Sequence, residues 1–339
     1  MHVTIKDVAR KAGVGIGTVS RVFNRSPLVS QETQMRVLQA AQELGYHPDV
    51  SARRLVQGRT RIIAFIERHT PRHLYVDAFM SQVLLGVHTE SREAGYHILL
   101  EPFSTTDVNG DNRLIQLIRE KHADGIIISG PRIDDPIFST LKDETLPVVL
   151  HGNYPGVALP SVDADNFHGA KLATQHLIQL GHTRIGMISN GPFEYTAAVA
   201  RRDGYLAALE EADLPIDPAI ILPGGFSPES GYQAMQVLLA SDQRPSAVFV
   251  ASDTVAVGAI KASRAAGVNL PGDIAIVGFD DIPWAAYLTP PLTTVRLPAQ
   301  EIGRQAAKLL IQLIDGKSPK NTQKLLPTKL IVRGSSTPV

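Results

Sequence analysis

The 339-residue chain has no cysteine, which excludes thiolate zinc sites and thiol redox chemistry and says nothing about compartment. It also lacks an uninterrupted apolar run of about 18 residues, the length a membrane span needs. No basic and apolar signal segment opens it, so the expected location is cytoplasmic. The G-x-x-x-x-G-K-[ST], G-x-S-x-G and H-E-x-x-H patterns are absent, and the 11 histidines are scattered without ligand spacing. Asp280 and Asp281 are paired carboxylates, but neighbours at a strand end point to opposite sides. Glycoside hydrolysis instead needs two converging across about 5 Å or more. No enzyme activity, metal or cofactor is expected.

Net charge is lacking as well, since 33 basic residues balance 33 acidic ones. That zero hides a division: residues 1–60 carry nine basic and four acidic side chains, so the remainder is acidic. A basic end on an acidic body suits a nucleic-acid-binding module joined to something that does not bind nucleic acid. The length suggests two or three domains, and a 44% hydrophobic content is ample for packed cores. No repeat of 20 to 50 residues appears, which excludes a solenoid.

Within the basic end, Thr4 and Asp7 form a capping-box pattern that starts a helix with Ile5, Val8, Ala9 and Ala12 at helical spacing. Gly13 and Gly15 allow a sharp turn. A second helix would bury Val19, Val22 and Phe23 and turn Thr18, Ser20, Arg21 and Asn24 outwards, a face able to meet base edges and phosphates of duplex DNA. Two other readings are open: a dinucleotide loop at Gly13-Val14-Gly15-Ile16-Gly17, which follows a helix rather than a strand, and a merely solvated helix face. Ser30 caps a third helix, Gln31 to Leu44, presenting Val37, Leu38, Ala41 and Leu44 to the first two. The segment Asp49 to Gln57 is too short for a stable helix alone and is expected to fold as a hinge on DNA.

From residue 61 the pattern changes to apolar runs alternating with amphipathic helices, which implies parallel sheets with right-handed crossovers. Strands are expected at Arg61 to Glu67, Tyr96 to Pro102, Asp124 to Gly130 and Pro147 to His151. A second set is expected at Arg184 to Ser189, Ala219 to Leu222, Ser246 to Ala251 and Asp273 to Phe279. Two doubly wound sheets in tandem place a ligand beyond the carboxyl ends of the strands, in the cleft between them.

The motifs Thr4-Ile5-Lys6-Asp7-Val8-Ala9, Thr18 to Asn24 and Leu44 to Asp49 follow in register, and residues 3–58 resemble the headpiece of the LacI/GalR family of bacterial transcription repressors. The resemblance continues through Val162 to Asn166, Gly181 to Gly186, Val277 to Asp281 and Pro291 to Val295. It implies an α/β protein: a three-helix helix-turn-helix domain (1–46), a hinge helix and linker (47–60), and two doubly wound subdomains like those of periplasmic binding proteins. These would span 61–161 with 292–321, and 162–291 with 322–339. By the same resemblance Ile16 and Gly17 choose bases, Thr18 and Ser20 hold phosphates, Arg21 reads a guanine edge and Leu55 wedges into a base step. Thr4, Asn24, Ser30, Thr33, Ala52 and Arg53 complete the expected DNA surface. Gly15 stands where the family usually has Ser.

For the ligand, Arg201 matches a family arginine that forks onto neighbouring oxygens. Asp280 is an acceptor at a strand end, Phe226 an aromatic that can stack on a sugar ring, and Ser252 with Asp253 lies at another strand end. Each has a plainer reading: a surface cation, a core residue, a helix cap. His151 stands where relatives commonly have Asp, and Tyr75 and Phe79 are expected at the cleft. The basic loop Arg68 to Val76 would admit a phosphorylated or acidic sugar, or is simply solvated. The expectation is a homodimeric repressor, with a tetramer left open, that binds pseudo-palindromic operator DNA and answers to a mono- or oligosaccharide. The rival is a solute-binding protein for carbohydrate transport.

Overall fold

The computed structural model describes residues 3–23, 28–46, 59–68, 77–102, 110–142, 144–156 and 158–337, and the chain divides into two compact units, 1–60 and 61–339.

In the smaller unit, α1 (Ile5–Ala12) opens with the Asp7 carboxylate accepting from the Thr4 amide at 3.0 Å and the Thr4 hydroxyl at 2.7 Å. This offsets unpaired donors of the first turn. Gly13, at φ 63°, ends the helix in the left-handed conformation, and α2 (Ile16–Phe23) follows directly. α3 (Gln31–Leu44) starts where the Ser30 side chain accepts from the Thr33 amide. Val8, Ala9, Ala12, Val19, Val22, Val37, Ala40 and Ala41 form one small core. Leu38, expected to face that core, is half exposed. Burial follows the 37, 40, 41, 44 stripe, and residue 38 lies about 100° off it.

The larger unit holds two six-stranded sheets. The first contains β1 (Ile62–Glu67), β2 (His97–Pro102), β3 (Gly125–Ser129), β4 (Val148–His151), β5 (Ser161–Ala164) and β11 (Gln323–Leu326), in the order β11-β5-β4-β3-β1-β2, all parallel. The second contains β6 (Ile185–Ile188), β7 (Ile221–Leu222), β8 (Ala247–Val250), β9 (Ala275–Asp280), β10 (Thr293–Arg296) and β12 (Lys329–Ile331), in the order β12-β10-β9-β8-β6-β7. Here only the β10–β12 pair is antiparallel. Fully apolar strands such as Ile126-Ile127-Ile128 are what a sheet buried on both faces requires.

The first lobe is covered by α4 (Ala78–Glu93), α5 (Gly110–Arg119), α6 (Ile137–Lys142) and α11 (Ala299–Ile314). The second is covered by α7 (Asn166–Gln179), α8 (Thr196–Glu211), α9 (Pro228–Ala240) and α10 (Asp253–Ala265). Helices α4 and α11 approach so closely that a Cβ on Gly86 would stand 2.0 Å from the Gln300 carbonyl oxygen, and one on Gly303 2.0 Å from that of Val83. One hydrophobic cluster runs from Phe65 and Val149 through Val162 and Val295 to Phe249 and Phe279, so the core is continuous through both lobes.

Sheet membership puts the three chain crossings after Ala164, Arg296 and Leu326, each a few residues beyond the expected 161, 291 and 321. The reason is backbone hydrogen bonding: β5, β10 and β11 keep pairing in the sheet they come from until they reach the cleft.

Candidate functional site

On the smaller unit, Ile16, Gly17 and Arg21 form the exposed face of α2, with Thr18 and Ser20 half-buried at its flank, while Val19 and Val22 anchor the other side. The Thr18 and Val19 amides donate to the Gly15 carbonyl at 2.9 and 3.2 Å, which starts α2 directly after the turn. Thr4 and Ser30 are exposed at the starts of α1 and α3, and Thr33 lies half-buried within hydrogen-bond reach of Ser30. Asn24, Ala52, Arg53 and Leu55, and the whole expected hinge helix, lie outside the described residues.

On the larger unit, the carboxyl ends of both sheets converge on a narrow cleft of about 80 Å³ lined by side chains from both lobes. Arg201, on α8, is its central cation. Its Nε donates to Asn166 Oδ1 at 2.8 Å, and Nη1 donates to the Ala251 carbonyl at 2.5 Å and to Asp280 Oδ1 at 3.4 Å. The guanidinium lies 4.1 Å from the centre of the Phe279 ring, and Nη2 has no acceptor among the described residues. One arm of the fork therefore remains for a ligand.

Asp280 ends β9 with φ 114°, a strained conformation for a side-chain-bearing residue and of the kind that collects at binding sites. Burial pushes its carboxyl up to about 7; Arg201 opposes the shift and the Asp77 carboxylate reinforces it. Burial likewise raises Asp163 to about 6, against the Ala164 amide and Arg201. Asp77 caps α4 by accepting from the Met80 amide at 2.9 Å, and its other oxygen accepts from Thr254 across the lobes at 3.0 Å.

His151 is buried, with Nδ1 2.9 Å from the Ser129 hydroxyl and its ring 6.0 Å from that of Phe79. Phe226 (φ 58°) and Tyr195 stand edge to face, 5.0 Å apart, along one wall. A Cβ on Gly191 would fall 2.2 Å from the Phe226 ring, so a glycine there makes room for the aromatic. Ser252 lines the cleft beside Asp280. The lobes are also joined by backbone: the Ile133 amide donates to the Glu194 carbonyl at 2.7 Å, and the Thr196 amide to the Pro131 carbonyl at 3.1 Å.

Thus Phe79, His151, Arg201, Phe226, Ser252 and Asp280 come together. Asp253 does not join them. It is fully buried and accepts from the Ile282 amide at 3.0 Å and the Thr294 hydroxyl at 2.7 Å, and burial beside Asp280 drives its carboxyl upwards. A carboxylate that first looks like a ligand group braces the loop after β9 against β10 instead. Tyr75 lies outside the described residues, as does the loop from His69 to Val76. Arg68, at the start of that loop, is turned inwards onto Asp135 at 2.7 Å. Asp281 is held by Arg296 at 2.6 Å and Arg333 at 2.7 Å. Sequence reasoning missed Asp77, Asp163, Asn166, Asn190 and Tyr195. The signal for three of them was present, since Asp163, Asn166 and Asn190 are polar residues where a strand gives way to a loop or helix.

Residues 4–49 match the family model of bacterial regulatory proteins, lacI family, and residues 174–336 match a periplasmic binding protein-like domain. The HTH-type transcriptional regulator CelR of Thermobifida fusca is 37% identical over 337 residues, 98% of each chain. The HTH-type transcriptional repressor CytR of Escherichia coli K12 is 36% identical over 336 residues, 98% of this chain and 96% of CytR. Among solved structures, a CelR–cellobiose complex covers 99% of this chain and 100% of its own, at 36% identity and a TM-score of 0.77. The lac repressor dimer bound to operator and the anti-inducer ONPF covers 99% of each chain, at 28% identity and a TM-score of 0.87.

Proposed function

Since the chain belongs to the LacI family of bacterial transcriptional regulators, we propose that it represses transcription by binding operator DNA under the control of a sugar held between its two lobes. The observation that carries this reading is the pairing, in one chain, of an exposed recognition face on α2 with a cleft centred on the open arm of Arg201. The CelR relative solved with cellobiose supports a sugar as the occupant.

Arg201 Nη2 and the carboxylates of Asp163 and Asp280 suit neighbouring hydroxyls, and Phe226 offers a face to a pyranose ring. On DNA, a bidentate Arg21–guanine pair contributes about 1–3 kcal/mol of discrimination, while Gly17 offers no side chain to a base. Two copies bound to two half-sites gain affinity from effective concentration as well as contact. The sugar relieves repression only through its differential affinity for the state that does not hold DNA. No helix among the described residues is long and apolar enough to cross a membrane. The relatives are regulators rather than enzymes.

Titrating an operator complex with mono- and disaccharides, cellobiose first, tests the proposal. At least one sugar should release the DNA at a concentration matching its own dissociation constant. Sugar binding without any change in operator affinity would refute the coupling.

A further inference from the structure

We propose that the cleft selects neutral, hydroxyl-rich sugars over their phosphorylated or carboxylated counterparts, with the Asn190 side-chain oxygen as an added selecting group. This rests on the reading of the cleft as a sugar site.

The charges lining the cleft are unequal. Among the described residues Asp77, Asp163 and Asp280 face a single guanidinium, Arg201, and a fourth carboxylate, Asp253, lies close enough to act on it. Arg201 is already engaged by Asn166, Ala251 and Asp280, so one arm is all it can offer an anion. Asp163 and Asp280 are held towards their neutral forms by burial, and Asp77 adds to the pressure on Asp280. A ligand anion would add to the same repulsion. At an effective dielectric of about 20, one unit-charge pair at about 5 Å corresponds to more than about 100-fold in affinity. The cation that the basic loop promised is not available at Arg68, which is buried in its pair with Asp135.

Hydrogen-bonding capacity points the same way. Asn190 follows β6, lines the cleft, and its Oδ1 is buried with no hydrogen-bond partner among the described residues. A buried carbonyl oxygen without a donor is destabilising, and a ligand hydroxyl would satisfy it. Sites built to bond a substrate hydroxyl reject analogues lacking it by up to about 10⁴-fold or more. With the carboxylates as further acceptors, the cleft asks for a ligand rich in donors and free of negative charge. The Tyr195–Phe226 wall then covers an apolar ring face.

The test is isothermal titration of the full chain with matched pairs: glucose and glucose 6-phosphate, ribose and ribose 5-phosphate, cellobiose and cellobionate. A neutral member should bind, with its anionic counterpart at least about 100-fold weaker. An anionic member that binds as tightly as its neutral partner, or more tightly, overturns the selection. If no member of any pair binds, the sugar reading fails and the selection falls with it. Asn190→Leu should weaken the neutral sugar by about 30-fold while the ligand-free melting temperature holds or rises, because an unsatisfied oxygen is removed. Unchanged affinity, or lost affinity with a lowered melting temperature, overturns the part given to Asn190. Asp163→Asn with Asp280→Asn should shrink the neutral-to-anionic ratio at least about tenfold, and an unchanged ratio counts against the charge argument.

Discussion

The first lobe meets the cleft with Asp77, Phe79, Ser129 and His151, and the second with Asn190, Tyr195, Arg201, Phe226, Ser252 and Asp280. Yet five strands of each sheet run in the same spatial order, β2-β1-β3-β4-β5 against β7-β6-β8-β9-β10. They differ in the sixth strand, which is parallel in the first sheet and antiparallel in the second. The cause is direction: β11 runs towards the cleft, crosses, and continues as β12 away from it, against strands that all run inwards. The shared skeleton fixes where side chains can converge, and the strand-end residues decide what they do. In the second lobe Arg201 and Asp280 build a charged anchor; in the first, His151 at the end of β4 and Phe79 at the start of α4 supply a wall, with Asp77 and Asp163 as the carboxylates on that side.

Removing the anchor should break this asymmetry most strongly. Arg201→Ala leaves Asp280 and Asp163 buried without their cation, and the expected loss of stability is about 3–5 kcal/mol. Calorimetry should show this together with the disappearance of sugar binding. Below the lowered melting temperature, operator binding should persist, and its loss would contradict an anchor confined to the sensor.

A second effect follows pH. The Asp280 carboxyl sits near 7 in the folded chain, above its unfolded value, so the stability it contributes is present in acid and declines as pH rises from about 4 through about 7. Sugar hydroxyls donate to the ionised form, so affinity should run the other way, rising from pH 5 to pH 8. Asp280→Asn should flatten both profiles, and a profile unchanged by that substitution assigns the titration elsewhere.

Gly191→Ala disturbs one wall without touching a charge. Its Cβ would meet the Phe226 ring at 2.2 Å, and moving the ring should weaken sugar binding about tenfold, at a stability loss of about 1–3 kcal/mol. The smallest effect belongs to Thr254→Val, which removes the hydrogen bond to Asp77 between lobes. A change of about 0.5–1.5 kcal/mol is expected, read as faster sugar release.

Much of this layout was legible in the chain itself. Apolar runs such as Ile126 to Ile128 announced the parallel strands, Gly13 the turn after the first helix, and the Thr4–Asp7 spacing the first cap. The short strands β5, β10, β11 and β12 were not separately legible: Thr293 to Arg296 and Gln323 to Leu326 carry too few residues for a period, and their sheet is chosen by tertiary pairing. Arg201, Asp280 and Phe226 were marked by motif and strand-end position. Asp253 shows the limit of that rule, because a strand-end acid can turn into the core as easily as into a cleft, and only the positions of Thr294 and Ile282 decide.

The backbone pairing of Pro131 and Ile133 with Glu194 and Thr196 ties the two lobes together. If a ligand enters only when the lobes part, these two hydrogen bonds are what opening must break. The ligand's capture rate should then level off as concentration rises, at a ceiling set by the protein. The promptness of the response would then be written into two peptide groups at the seam between the lobes.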